Sequence, residues 1–236
     1  MCRCQVFHKY LERIDKKKEK NYNIPMKRNY ELMMLEQLKN IPKGEKLLLH
    51  SCCAPCSSTC LERLKDYFTI TVLYYNPNID EETEYEKRKA EQIRFLQETG
   101  WADFLDCDHE SEAFLSAVQG MENQPERSSR CYVCYGLRLE KTAQMAKENG
   151  YSWFATTLTL SPYKNAEWLN EIGEKMGGRY ALNYLYTDFK KKGGYHHSIE
   201  LSKKYGLYRQ DFCGCKFSQR QRTVVSNPSI PPMQEL

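Results

Sequence analysis

The sequence predicts an α/β protein, a parallel sheet flanked by helices, on three observations. Short apolar or β-branched runs alternate with helical stretches, Gly and Pro punctuate the joints, and no internal repeat interrupts the alternation. Strands separated by helices pair in parallel through crossovers. With 236 residues, 41% of them hydrophobic, the chain can bury the core of one large domain.

Taken in order, residues 1–43 are rich in Lys and poor in pattern, and are expected to be a basic, solvated or loosely helical extension that ends at Pro42 and Gly44. The apolar run 47–49 makes the first strand, and Pro55 suits the first turn of the helix after it. The run TITVLYYN (69–76) is a second strand, and a charged helix over 81–99 closes at Gly100. A short strand (DFLDC), a helix through EAFLSAV and a helix over 130–148 closed by Gly150 follow, and then a strand over 151–160. Helices near 166–176 and 195–205 complete a catalytic domain drawn over 44–225, and SNPSIPPMQEL (226–236) has the composition of a disordered tail.

No run approaches the roughly 18 apolar residues that span a bilayer, and the basic N-terminus has no apolar stretch behind it, so the chain is expected in the cytoplasm, away from membranes. Eleven cysteines, an odd number without a secretion signal, argue for metal ligation or thiol chemistry over an extracellular disulfide framework. The net charge of +4 permits a polyanionic partner without demanding one.

Six cysteines form three tight groups: Cys52 with Cys53, Cys131 with Cys134, and Cys213 with Cys215. The first pair falls in the turn between strand and helix, at the carboxyl end of a strand where open α/β sheets hold ligands. Cys131 and Cys134, three apart at a helix start, present their sulfurs on one face. Four such thiolates hold a structural zinc or an iron–sulfur cluster, and the adjacent pair favours the wider spread of a cluster; buried thiols are the plain alternative. The CGC pair can close a strained, easily reduced disulfide or bind a second metal ion. Cys56 and Cys60, at i and i+4, read as small apolar core residues, as does Cys107.

The motifs LLLHSCCAPCS, YYNPNI with EYEKRK, SSRCYVCYGLRLEKTA, TTLTLSPYKN and LYRQDFCGCKFS, in that order, resemble the cobalamin-independent epoxyqueuosine reductases (QueH) over residues 47 to about 222. The resemblance implies a Rossmann-like fold of the HUP type and reduction of epoxyqueuosine to queuosine at the wobble position of tRNA. It also implies a [4Fe-4S] cluster on Cys52, Cys53, Cys131 and Cys134, and a redox-active pair at Cys213 and Cys215. A tRNA and an electron donor would be the partners, and the sequence does not identify the donor. A zinc-stabilised RNA-binding module and a tRNA sulfur-transfer enzyme are the rival functions. The absence of a glycine-rich phosphate loop after the first strand argues against an ATP pyrophosphatase.

Other residues carry alternatives. Ser161, Tyr163 and Lys164 follow a strand end, as substrate contacts or as a polar helix entry. Asn76 and Asn78 suit an Asx turn better than a ribose contact. Lys190, Lys191, Lys192, Arg220 and Arg222 suit tRNA phosphates or plain solvent. Tyr132, Tyr135 and Tyr208 can stack on an extruded base or fill the core. His196 and His197 read as a surface pair.

Overall fold

The computed structural model describes residues 28–218. Its centre is a five-stranded sheet of order β3-β2-β1-β4-β5, parallel throughout. The strands are β1 (Lys46–His50), β2 (Thr69–Leu73), β3 (Asp103–Leu105), β4 (Trp153–Thr156) and β5 (Asn183–Tyr184). The helices are α1 (Tyr30–Lys39), α2 (Ala54–Leu64), α3 (Glu82–Thr99), α4 (Ser111–Ala117), α5 (Ser129–Glu148), α6 (Ala166–Tyr180) and α7 (Gly194–Lys204).

Alternation along β1 explains the layering. Leu47 and Leu49 face one side with Leu61 and Leu64 of α2, Phe95 of α3 and Met34 of α1, whereas Leu48 faces the other with Leu139 of α5 and Leu169, Ile172 and Met176 of α6. Helices therefore cover both faces of the central strand, and all three leucines are fully buried. No helix among the described residues is long and apolar enough to cross a membrane.

Three elements differ from the sequence expectation. The segment expected to be a solvated or loosely helical extension contains the helix α1, capped by Asn29 Oδ1 accepting from the Leu32 amide at 3.2 Å, and its Met34 and Leu38 join the core instead of facing solvent. The strand expected over 151–160 stops at Thr156, whose hydroxyl accepts from the Leu158 amide at 3.1 Å and turns Thr157–Leu160 into a 3₁₀ segment. The two-residue β5 is too short to leave a period in the sequence. The helix expected over 81–99 is α3, ended by Gly100 at φ +61° with its amide on the Leu96 carbonyl at 2.8 Å.

Met34 tests the place of α1 in the body. Met34→Ala should lower the unfolding free energy by about 2–5 kcal/mol in a urea titration, the range for large-to-small core changes. A change within about 0.5 kcal/mol, as for a surface site, would detach α1 from the core.

Candidate active site at the carboxyl ends of the central strands

The strand order reverses between β1 and β4, and open α/β sheets place ligands outside the carboxyl ends at such a point. A buried histidine fastens the rim there. His50 Nε2 donates to the Tyr75 carbonyl beyond β2, at 2.9 Å, and Nδ1 accepts from the Thr156 hydroxyl at the end of β4, also at 2.9 Å. Burial, then the positive charge of Arg138, holds the imidazole neutral, its pKa down to about 3. Both ring nitrogens are therefore free to serve as one donor and one acceptor.

The next residues inherit that position. Ser51 donates its amide to the Leu73 carbonyl at 2.9 Å and its hydroxyl to Gln92 Oε1 at 2.8 Å, and its carbonyl accepts from Asn76 Nδ2 at 2.9 Å. Cys53 is the N-cap of α2, in extended backbone. The turn thus brings the sulfurs of Cys52, Cys53 and Cys56 within 4.8 Å of one another, with Cys52 and Cys53 at 3.8 Å. Hydrogen bonds from Cys53 and Cys56 hold the Cys52 thiol well below its ordinary pKa, while Cys53, its proton committed to Cys52, is pushed up to about 12. Three clustered soft donors are a set capable of binding a metal.

Cys131 and Cys134 occupy the first turns of α5. The Arg127 amide donates to Cys131 Sγ at 3.3 Å, and Cys134 packs with Val133, Phe114, Phe217 and Cys215. Burial raises both thiols, Cys134 to about 12. Among the described residues, the grouping within 4.8 Å includes Cys56 and leaves these two outside.

Cys213 stands on a loop held from three sides. Asn78 Nδ2 donates to its carbonyl at 3.3 Å, Arg88 Nη1 does the same at 3.3 Å, and the Asp80 amide reaches the Gly214 carbonyl at 3.2 Å. Gly214 is required: its φ is +93°, and a Cβ would lie 2.8 Å from Ile79 Cγ1. Cys213 Sγ accepts from Lys164 Nζ at 3.4 Å. Burial opposes its ionisation, yet Lys164 and Arg138 outweigh burial and bring this thiol below its ordinary pKa. Cys213 and Cys215 are both free thiols. Cys215 is buried, which raises its pKa.

A cleft of about 650 Å³ joins these parts, lined among others by Cys52, Cys53, Cys56, Cys213, Lys164 and Arg138. Its wall holds four cations (Arg88, Arg138, Lys164, Arg209) against two carboxylates (Glu126, Asp211), which suits an anionic ligand. Arg138 is 1% exposed, and its Nε and Nη1 have no hydrogen-bond partner among the described residues. Burial weakens its hold on the proton, but Cys134, Cys213 and Cys52 more than offset that, so it stays a fixed cation beside the thiols.

Of the residues singled out in sequence, Tyr163, 54% exposed, and Lys164 line this cleft. Lys190 and Lys191 line a second cavity of about 420 Å³, where Lys190 pairs with Asp188 at 2.5 Å and Lys164 again forms part of the wall. Arg220 and Arg222 lie outside the described residues. Tyr132 packs edge to face on Trp168, Tyr135 is buried, and the Tyr208 hydroxyl donates to Glu84; none lines the cleft. His197 bridges Glu62 and Glu200 at the surface, as expected. Cys60 is buried in the core and Cys56 packs against the core, as read, but the first turn of α2 also brings the Cys56 sulfur to the pair. The spacing of Cys53 and Cys56 in CCAPC, three apart like Cys131 and Cys134, is the sequence feature that allows it. Arg138 and His50 are further site residues; both fall inside the quoted motifs, though the sequence reading does not single them out.

Fold and site together define a doubly wound α/β protein with a thiol-rich, cationic centre at its switch point. The chain belongs to the epoxyqueuosine reductase family: residues 47–221 match the family described as Epoxyqueuosine reductase QueH. The protein of that name from Streptococcus pyogenes serotype M1 is 38% identical over 212 residues, 86% of this chain and 83% of the relative. Its counterpart from Histophilus somni is 40% identical over 209 residues, 87% and 82% of the two chains. The Acinetobacter baylyi protein is 39% identical over 189 residues, covering 78% and 85%.

The thiol environments predict an order of reaction. Treated with iodoacetamide near pH 7 in the metal-free form, Cys213 and Cys52 should be alkylated first and Cys53 and Cys134 last, read by peptide mass spectrometry. Their advantage should persist as pH falls below the range of an ordinary thiol, because a lowered pKa keeps the thiolate populated there. Uniform labelling would remove the electrostatic distinction among the four.

Proposed function

We propose that the chain reduces epoxyqueuosine to queuosine at the wobble position of tRNA, in the cytoplasm, as an iron–sulfur oxidoreductase. The observation that carries this reading is the shared cleft, where Cys52, Cys53 and Cys213 meet fixed cations in a chain of this family. Opening an epoxide to an alkene with loss of water takes two electrons and two protons. Cys213 and Cys215 supply that pair of electrons as a dithiol that closes to a disulfide.

Cys52, Cys53, Cys131 and Cys134 hold the cluster in this reading, and their chemistry fits it. Soft thiol donors sit beside Arg138 and Lys164, whose charges offset the negative charge that deprotonated ligands accumulate. When bound, a [4Fe-4S] cluster passes electrons singly, which complements a two-electron dithiol. The chain's own side chains perform the rest: the cationic wall draws in the anionic nucleotide, and Lys164 stands where a developing oxyanion can take a proton.

The ligand set has a direct test in anaerobically reconstituted protein. Cys52→Ala, Cys53→Ala, Cys131→Ala and Cys134→Ala should each lose iron and most turnover, while Cys60→Ala keeps both. Iron retained by Cys131→Ala but lost from Cys56→Ala would move the site to the triad of Cys52, Cys53 and Cys56.

The second cavity and the basic C-terminal residues are read as phosphate contacts for the tRNA. Replacing Lys190, Lys191, Arg220 and Arg222 together by Ala should weaken binding and flatten the log–log salt dependence by about 0.9 per lost contact. An unchanged slope would return these charges to solvent.

A further inference from the structure

Cys213 combines three properties that a carrier of electrons alone does not need. It lines the cleft, its backbone is clamped by Asn78 and Arg88, and an ammonium donates to its sulfur at 3.4 Å. The same ammonium, Lys164 Nζ, belongs to the cleft wall, so a substrate atom that meets the sulfur also meets an acid. Clamped nucleophile and adjacent proton donor are the pairing that covalent catalysis uses.

We propose that Cys213 bonds covalently to the epoxide carbon of the substrate, that Lys164 protonates the epoxide oxygen, and that Cys215 releases the product by displacing the carbon from Cys213. The proposal rests on the reading of the chain as an epoxyqueuosine reductase. In the first step a C–S bond forms, one C–O bond of the ring breaks, and the resulting alkoxide takes the proton of Lys164. Burial favours the neutral amine at Lys164, and the Cys213 thiolate is the first charge that opposes this. Once that charge is consumed in the C–S bond, Lys164 gives up its proton more readily.

In the second step Cys215 attacks the sulfur of Cys213. An S–S bond forms and the C–S bond breaks. Its electron pair becomes the second bond of the alkene, and the neighbouring hydroxyl leaves with the proton of Cys215 as water. The dithiol loses two electrons and the epoxide gains them. The oxygen departs with two protons, one carried by Lys164 and one from Cys215. A small dithiol in the assay, or a reductant protein in the cell, restores the pair. Gly214, the one residue between the two cysteines, sits at a positive φ that glycine adopts without strain, and a single intervening residue is a spacing at which two cysteines can close a small disulfide.

The iron-loaded Cys215→Ser protein should trap the intermediate. Incubated with an anticodon stem-loop RNA carrying epoxyqueuosine, it should form a one-to-one protein–RNA adduct that survives denaturation and excess dithiothreitol, as a thioether does. Mass spectrometry should place the adduct on Cys213, and Cys213→Ser should form none. Adding Lys164→Met to Cys215→Ser should slow adduct formation about a hundredfold or more, the usual scale of a general acid. Cys215→Ala provides a second trap, and iron content and absorption spectrum check that each variant keeps its site. Turnover by the reduced wild type with no adduct in either trap would overturn the covalent step and leave the reductase reading intact. Failure of the reduced, iron-loaded wild type to convert the RNA at all would overturn both.

Discussion

The cleft hangs on one buried imidazole. His50 lies at the end of the central strand and reaches the chain beyond β2 on one side and the end of β4 on the other. From the first contact the chain continues to Asn76 and Asn78, which hold the Ser51 and Cys213 carbonyls. From the second, Thr156 turns the chain through Leu160 to Lys164. The cysteine turn, the CGC loop and the lysine therefore share one fastening point. Each of its bonds is made by a group with no water to fall back on, and a buried polar group left unsatisfied costs about 1–3 kcal/mol.

Charge is the second constraint. An arginine buried to 1% exposure, with two nitrogens that find no hydrogen-bond partner among the described residues, is expensive in an apolar setting, and thiols buried beside it resist ionisation for the same reason. Together they relieve each other. Arg138 and Lys164 favour the anionic forms of Cys52 and Cys213, and those sulfurs hold the protons on Arg138 and Lys164. The fixed cations are set in place by the fold, so the chemistry does not have to reorganise solvent to obtain them.

Much of this was legible in the sequence. The alternation of apolar runs and helices announces a parallel sheet, and the cysteine groups mark its carboxyl rim because turns after parallel strands gather there. Lys164 was found the same way, as the polar turn after a strand. Three things were not legible. The spacing of Cys53 and Cys56 permits the proximity of Cys56 to the pair, but that proximity is decided by how tightly the first turn of α2 folds back on its N-cap, which spacing alone does not state. Arg138 sits mid-helix on α5 among residues of ordinary amphipathic spacing, and only the packing of α5 against β1 turns it towards the thiols. The helix α1 hides in a Lys-rich stretch, since Met34 and Leu38 give too narrow a stripe to register as a period.

The two outer strands of the sheet are its shortest, three residues in β3 and two in β5. A sheet edge is a row of unpaired amides and carbonyls on which a second chain can add as a further strand, and its capacity to do so grows with its length. Here each edge offers only a rung or two of the ladder, while the longer, wholly apolar stretch of β1 is sealed between neighbours. A protein that must keep many reduced thiols and a strongly hydrophobic central strand in the same body is thereby shielded from edge-to-edge aggregation by the taper of its own sheet.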